Sequence, residues 1–347
     1  MECDEVKGSL TSRRWAMTMT AYALPFLLCA VLLPHVGPST QRLAGPYATG
    51  SAEAEEFIFH SLRLPRVILA LVAGGSLAIV GACFQVILRN PLAEPYTLGV
   101  TGGAAVGAVL VISVRRLQFG WGPFSTVQLF ALAGAGISVL LIYRLARRPQ
   151  GISMSVLLLA GVTISILCGG LVLFIRYIAD PHSLLSMDRW LMGGISPIGL
   201  GELLPIVPFV VVGLGILLPQ MPALNHLALG EGIAMGHGVD VPRVQRMVFI
   251  GGSLLTAGVV SLTGPIGFVG LIVPHAVRRV SGFDHRVVVP ASFLAGGAFL
   301  ALCDTVGRTV LPLLVERISE AQQTPVGVLT ALIGAPIFIR ILIGRRR

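Results

Sequence analysis

Two arginines three apart, in Arg63-Leu64-Pro65-Arg66, stand where a helix does not favour them. Pro65 suits a first helical turn, since its missing N–H costs nothing there. That turn is already electropositive, so two guanidiniums in it call for a carboxylate partner; lipid phosphate is the competing reading. A second segment, Asn90-Pro91-Leu92-Ala93-Glu94-Pro95, has two prolines that break helices on both sides and leave a rigid corner edged by Asn90 and Leu92. The third, Leu227–Val239, reads as two short helices joined at Gly230-Glu231. Leu227, Leu229, Ile233 and Met235 are apolar in it where water is expected, which points to a protein docking surface or to packing back on the chain's own bundle.

None of these segments makes or breaks bonds. The chain has one lysine, Lys7, and it lies outside any GxxxxGK[ST] frame, so this polypeptide has no phosphate-cradling loop of that type. Its seven histidines show no ligand spacing, and no HExxH, GxSxG or CxxC occurs. Four of the five cysteines (Cys29, Cys83, Cys168 and Cys303, but not Cys3) fall in or beside apolar runs, where Cys acts as a small hydrophobe. No disulfide, metal site, cofactor or catalytic residue is expected. An ion-driven carrier would place carboxylates at mid-membrane. Here Arg176 and Asp304 lie near the ends of apolar runs and read as snorkelling side chains, which argues for energy supplied from elsewhere.

The elements that must position these motifs are membrane spans. With 54% hydrophobic and 12% charged residues and a mean hydropathy of +0.86, the chain has more apolar surface than a soluble core absorbs. Ten runs approach the length of a bilayer crossing. They are Trp15–Leu33, Val67–Leu88, Thr97–Val114, Val127–Leu145, Met154–Ile178, Leu203–Leu218, Val244–Leu262, Ile266–Val280, Val287–Val306 and Val326–Ile343. The eighth is short and begins in a Gly/Pro cluster, so it is expected to be tilted, broken or only partly crossing. With both termini inside, 16 basic residues lie on the cytoplasmic side and 9 outside. The net charge of +9 is then mostly a topology signal, and scattered arginines exclude nucleic acid as a partner. No small-x-small site follows Trp15–Leu33, which reads as a retained first span. Residues 1–347 form one membrane domain, with 219–243 as a cytoplasmic loop. Glycines paired or spaced at helical intervals, such as Gly74, Gly75 and Gly81, predict close backbone seams.

The ordered motifs resemble the permease family of ABC importers for iron chelates and cobalamin, often called the FecCD family. They are RLPR at Arg63–Arg66, NPLAEP at Asn90–Pro95, LGVTGGA at Leu98–Ala104, LLLAGV at Leu157–Val162 and WLMGG at Trp190–Gly194. LALGE at Leu227–Glu231, GPIGFVGLIVPH at Gly264–His275, DHR at Asp284–Arg286 and PVGVLTALIGAPIFI at Pro325–Ile339 follow. The resemblance implies an all-α type II ABC importer permease fold with ten transmembrane helices. It implies a homodimer in the inner membrane, both termini cytoplasmic, with the path on the two-fold axis. The implied partners are two copies of an ABC ATPase subunit and a periplasmic or lipid-anchored substrate-binding protein. By the same resemblance Arg63, Arg66 and Arg308 dock the binding protein, and Asn90, Leu92, Met154 and Ser155 form the cytoplasmic gate. Leu227, Leu229, Gly230, Glu231, Ile233, Met235 and Gly236 couple to the ATPase. An iron chelate, siderophore or haem, is the leaning for the cargo, with cobalamin the alternative. The reading from another class is an ion-coupled secondary transporter.

Overall fold

The computed structural model describes residues 11–37, 56–114, 117, 120–121, 124–149, 151–195, 199–310 and 325–344. In chain order the helices are α1 Ser12–Leu32, α2 Leu64–Ile87, α3 Val100–Ser113, α4 Thr126–Ala146 and α5 Met154–Ile178. Then come α6 Pro181–Leu191, α7 Val207–Leu217, α8 Met221–Leu229, α9 Glu231–Gly236 and α10 Val241–Thr263. The last three are α11 Val269–Ser281, α12 His285–Thr309 and α13 Val326–Gly344. Among the described residues seven helical runs are long and apolar enough to cross a membrane. The shorter α3, α11 and α13 bring the observed helices into line with the ten expected spans. Several helices start where side-chain caps allow it. Ser125 and Gln128 form a capping box on α4, and Asp180, Asp240 and Asp284 cap α6, α10 and α12.

The middle of the bundle is α2, buried along nearly all of its length and packed by α12, α10 and α11. Its sequence explains this. Ala70, Ala73, Gly74, Gly75, Ala78, Gly81 and Ala82 are small enough for neighbouring backbones to touch it. A methyl at Gly74 would collide with the Gly296 carbonyl of α12, and one at Gly81 with the Gly270 carbonyl of α11. A second seam joins α3 to α4, where Gly103 meets Gly134 and Gly107 meets Phe130. By contrast α5 turns Leu159, Ile166, Leu167, Leu173 and Phe174 outward, as a helix facing lipid or another subunit would.

The eighth span is a half-helix. α10 ends at Thr263, the chain continues without helix to Phe268, and α11 then begins at the level of Gly81. Six residues separate Gly81 from the end of α2, so α11 starts about 9 Å inside that end. Backbone groups freed by the break need partners, because lipid offers none. Gly194 N–H donates to the Thr263 carbonyl at 2.7 Å, and Gly327 N–H to the Gly193 carbonyl at 3.1 Å. Gln85 Nε2 donates at 3.1 Å to the Gly270 carbonyl, which Pro274, lacking an N–H, leaves unpaired inside α11. The Trp190–Gly194 and Gly264–His275 motifs therefore meet in space. Gly193 and Gly264, both at positive φ, each press against a carbonyl of the other segment.

Candidate functional site

At the end of α2 that the charge bias places outside, a π-turn at Phe59–Arg63 leads into the helix and sets Arg66 inward. Its guanidinium holds Asp304 of α12 bidentately: Nε lies 2.9 Å from Oδ2 and Nη2 2.9 Å from Oδ1. Both side chains are almost sealed from solvent, at 5% and 2% exposure. Arg308, one turn along α12, brings its Nε within 3.1 Å of Oδ2. Arg63 is half-buried, and its guanidinium and that of Arg308 both lie close to Gly37.

Two expectations change here. Asp304 does not snorkel: it is buried, because a bidentate guanidinium compensates its desolvation. Arg66 finds its carboxylate inside the chain, where the sequence reading looked for one on a partner. The signal was available: a lone carboxylate in an apolar run, with Arg308 four residues on. Arg176 is likewise engaged, pairing with Asp188 of α6.

At the opposite end the chain leaves α2 through Arg89, which takes a left-handed conformation (φ 46°). Asn90 Oδ1 accepts the Leu92 N–H at 2.9 Å and closes the corner that the prolines predict. Asn90 is half-buried and Leu92 exposed. The rest of the motif turns back into the bundle. Glu94 accepts the Phe268 N–H at 3.1 Å, and Pro95 lies against Gly270. Burial pushes the Glu94 carboxyl above its ordinary 4.5, with the Phe268 amide working the other way. The turn Pro95–Leu98 then packs on α5, whose first residues are Met154, half-buried, and Ser155, exposed. Asn90, Leu92, Met154 and Ser155 thus belong to connected elements. Glu94 is a residue whose role the spacing did not show.

The third segment is two helices, α8 and α9, broken at Gly230 (φ 132°). Leu229, Ile233 and Met235 are exposed at 66%, 48% and 59%, while Leu227 is buried and anchors α8. Gly236 ends α9 in the open. Glu231 pairs with Arg89 at 3.3 Å and accepts from Gln245 of α10 at 3.3 Å. Asn225 donates to Asp284 at 2.8 Å and accepts the His285 N–H at 2.7 Å. The exposed apolar patch is therefore tied to the ends of α2, α10 and α12.

A broken half-helix among close helix seams, with an anchored apolar hairpin at one end, describes a multi-pass membrane protein. Residues 23–344 match the model of the FecCD transport family. The chain is 39% identical over 327 residues to the cobalamin import system permease protein BtuC of Halobacterium salinarum, covering 94% of this chain and 84% of that one. It is 36% identical over 335 residues to the vitamin B12 import system permease protein BtuC of Salmonella typhi, covering 96% of each. A solved structure described as an inward-facing metal-chelate type ABC transporter superposes with a TM-score of 0.78 at 30% identity, over 95% of this chain and 99% of that one. The chain belongs to the FecCD transport family. It is the permease subunit of an importer whose ATP hydrolysis resides in a partner subunit.

Asp304→Asn strands a buried Arg66 and should cost about 3–5 kcal/mol of stability, read as a lowered thermal midpoint in detergent; an unchanged midpoint rejects the pairing. For Glu94 the raised folded pKa gives the sign. Below 4.5 both folded and unfolded carboxyls are protonated. Above it the unfolded one ionises first, so wild type should lose stability against Glu94→Gln as pH climbs, until the buried carboxyl ionises too. Parallel pH profiles of the two midpoints would contradict this.

Proposed function

We propose that this permease acts as a homodimer in the cytoplasmic membrane, both termini inside, and passes a metal-centred chelate delivered by a binding protein. The observation that carries the reading is the α8–α9 hairpin. Leu229, Ile233 and Met235 offer an apolar face to a separate ATPase, while Glu231 and Asn225 fasten that face to three spans. A push on the hairpin then acts on helix ends next to the corner at Asn90 and Leu92, where with Met154 and Ser155 we place the cytoplasmic gate. Gly169 and Gly170 on α5 support the homodimer: a Cβ at either would meet open space, so no packing within the chain accounts for their size. The rim where Arg63 and Arg308 converge, with Arg66 held behind it, supports docking of carboxylates on the binding protein.

For the cargo, relatives named for cobalamin or vitamin B12 import, matching over nearly the whole chain, favour a corrinoid. The metal-chelate transporter keeps an iron siderophore or haem as the second reading. The decisive assay is vanadate-sensitive uptake of labelled cobalamin against a labelled ferric chelate, in vesicles holding permease, ATPase and binding protein.

Replacing Leu229, Ile233 and Met235 together with serine should cut that uptake more than tenfold by releasing the ATPase, an effect of the size expected when a docking patch loses its anchors. Undiminished uptake, or uptake driven by an ion gradient without the ATPase, would sink the coupling role. Separately, Arg63→Glu should weaken binding-protein capture about tenfold at low salt and flatten its salt dependence. Equal affinity and an equal salt response would reject docking at that rim.

A further inference from the structure

At the Arg89 end of the bundle a cavity of about 750 Å³ opens between the ends of α2, α8, α11 and α12. Gln85, Arg89, His275, Arg278, Arg279 and His285 line it, and no described carboxylate does. The nearest carboxylates are engaged outside it: Glu231 with Arg89 and Gln245, and Asp284 with Arg286 and Asn225. Arg278 donates to Gln85 Oε1, which fixes its guanidinium on the α2 side, and Arg279 is exposed.

His285 supplies an independent pointer to a ligand. The residue is 2% exposed. Asn225 Oδ1 accepts the His285 backbone N–H, and the Asn225 amide nitrogen donates to Asp284. That orientation makes Oδ1 the acceptor for the ring as well, so Nδ1, 2.8 Å away, carries a hydrogen. The other ring nitrogen, Nε2, is buried with no hydrogen-bond partner among the described residues. A buried polar atom of this kind costs free energy unless something meets it. Beside the cationic wall, Val280 in the last turn of α11 and Phe283 in the α11–α12 turn are each 76% exposed.

We propose that this cavity binds a phosphate group, held by Arg89, Arg278 and Arg279, with a hydroxyl on the phosphate or its headgroup donating to His285 Nε2. Guanidinium forks match phosphate oxygens and give short charge-assisted hydrogen bonds. The favoured source is the headgroup of an anionic phospholipid. Val280 and Phe283 offer apolar contact next to the charge, and basic pockets between helix ends at the membrane surface hold such headgroups. Free inorganic phosphate shares the chemistry and is the other source.

The test uses the full-length permease in phosphatidylcholine vesicles containing phosphatidylglycerol, followed by native mass spectrometry. One phosphatidylglycerol retained per chain, with phosphatidylcholine lost, is the expected result. Arg279→Gln, at an exposed position that leaves folding intact, should weaken retention about fivefold, and Arg89→Gln with Arg279→Gln about 25-fold. Calorimetry with inorganic phosphate separates the sources. Phosphate binding that both arginine changes weaken, without lipid retention, assigns the site to the free anion. Retention that phosphate does not displace assigns it to lipid. Binding of neither probe, equal retention of the two lipids, or binding by either probe that the variants leave unchanged would overturn the proposal.

Discussion

Backbone contact along α2 holds the bundle together. Lipid gives no hydrophobic drive for helix to pack on helix, so close approach and buried polar contacts must supply the cohesion. Gly74 against Gly296 and Gly81 against Gly270 bring α12 and α11 onto α2 with no side chain between. The helix so enclosed carries an ionic contact at each end: Arg66 with Asp304 at one, Arg89 with Glu231 at the other. These two contacts differ in kind. The first is sealed and bidentate, and breaking it leaves a bare charge. The second is about half exposed on both partners, so solvent screens it and it opens at small cost. α2 is thus held firmly at one end and attached loosely to the hairpin at the other.

The break before α11 shows why several motifs serve architecture. Ending a helix inside a bilayer exposes N–H and carbonyl groups that lipid cannot satisfy. Glu94 and Gly194 satisfy them here, and Gln85 meets the Gly270 carbonyl that Pro274 leaves free, so three separate parts of the chain reach in. Non-helical backbone at that depth gives the bundle a place to bend that a continuous helix would lack.

Energy enters and leaves such a protein through surfaces, and the two ends are built differently for it. One end sets two guanidiniums on one buried carboxylate, with a third, Arg63, beside Arg308 at the rim. The other shows apolar side chains on a hairpin whose fixing points are all polar. Apolar faces give affinity by burial, and the polar fastenings tie this one to particular helix ends.

Much was legible in the residues themselves. Apolar run lengths set the spans, prolines set the corner at Asn90–Pro95, and Gly230 set the break in the hairpin, because these depend on local conformation or on transfer from water to lipid. The glycine spacing announced seams without saying which helices share them. Only the folded chain decided that Asp304 serves Arg66 across 238 positions, that Glu94 caps α11, and that Leu227 faces inward while Leu229 faces out. Those facts rest on which side chains meet after long loops close, and spacing along one chain carries no record of that distance. Where the helices lie and where they break follows from residues read in order; which charges are neutralised inside follows from the packed bundle, since desolvation depends on every neighbour at once.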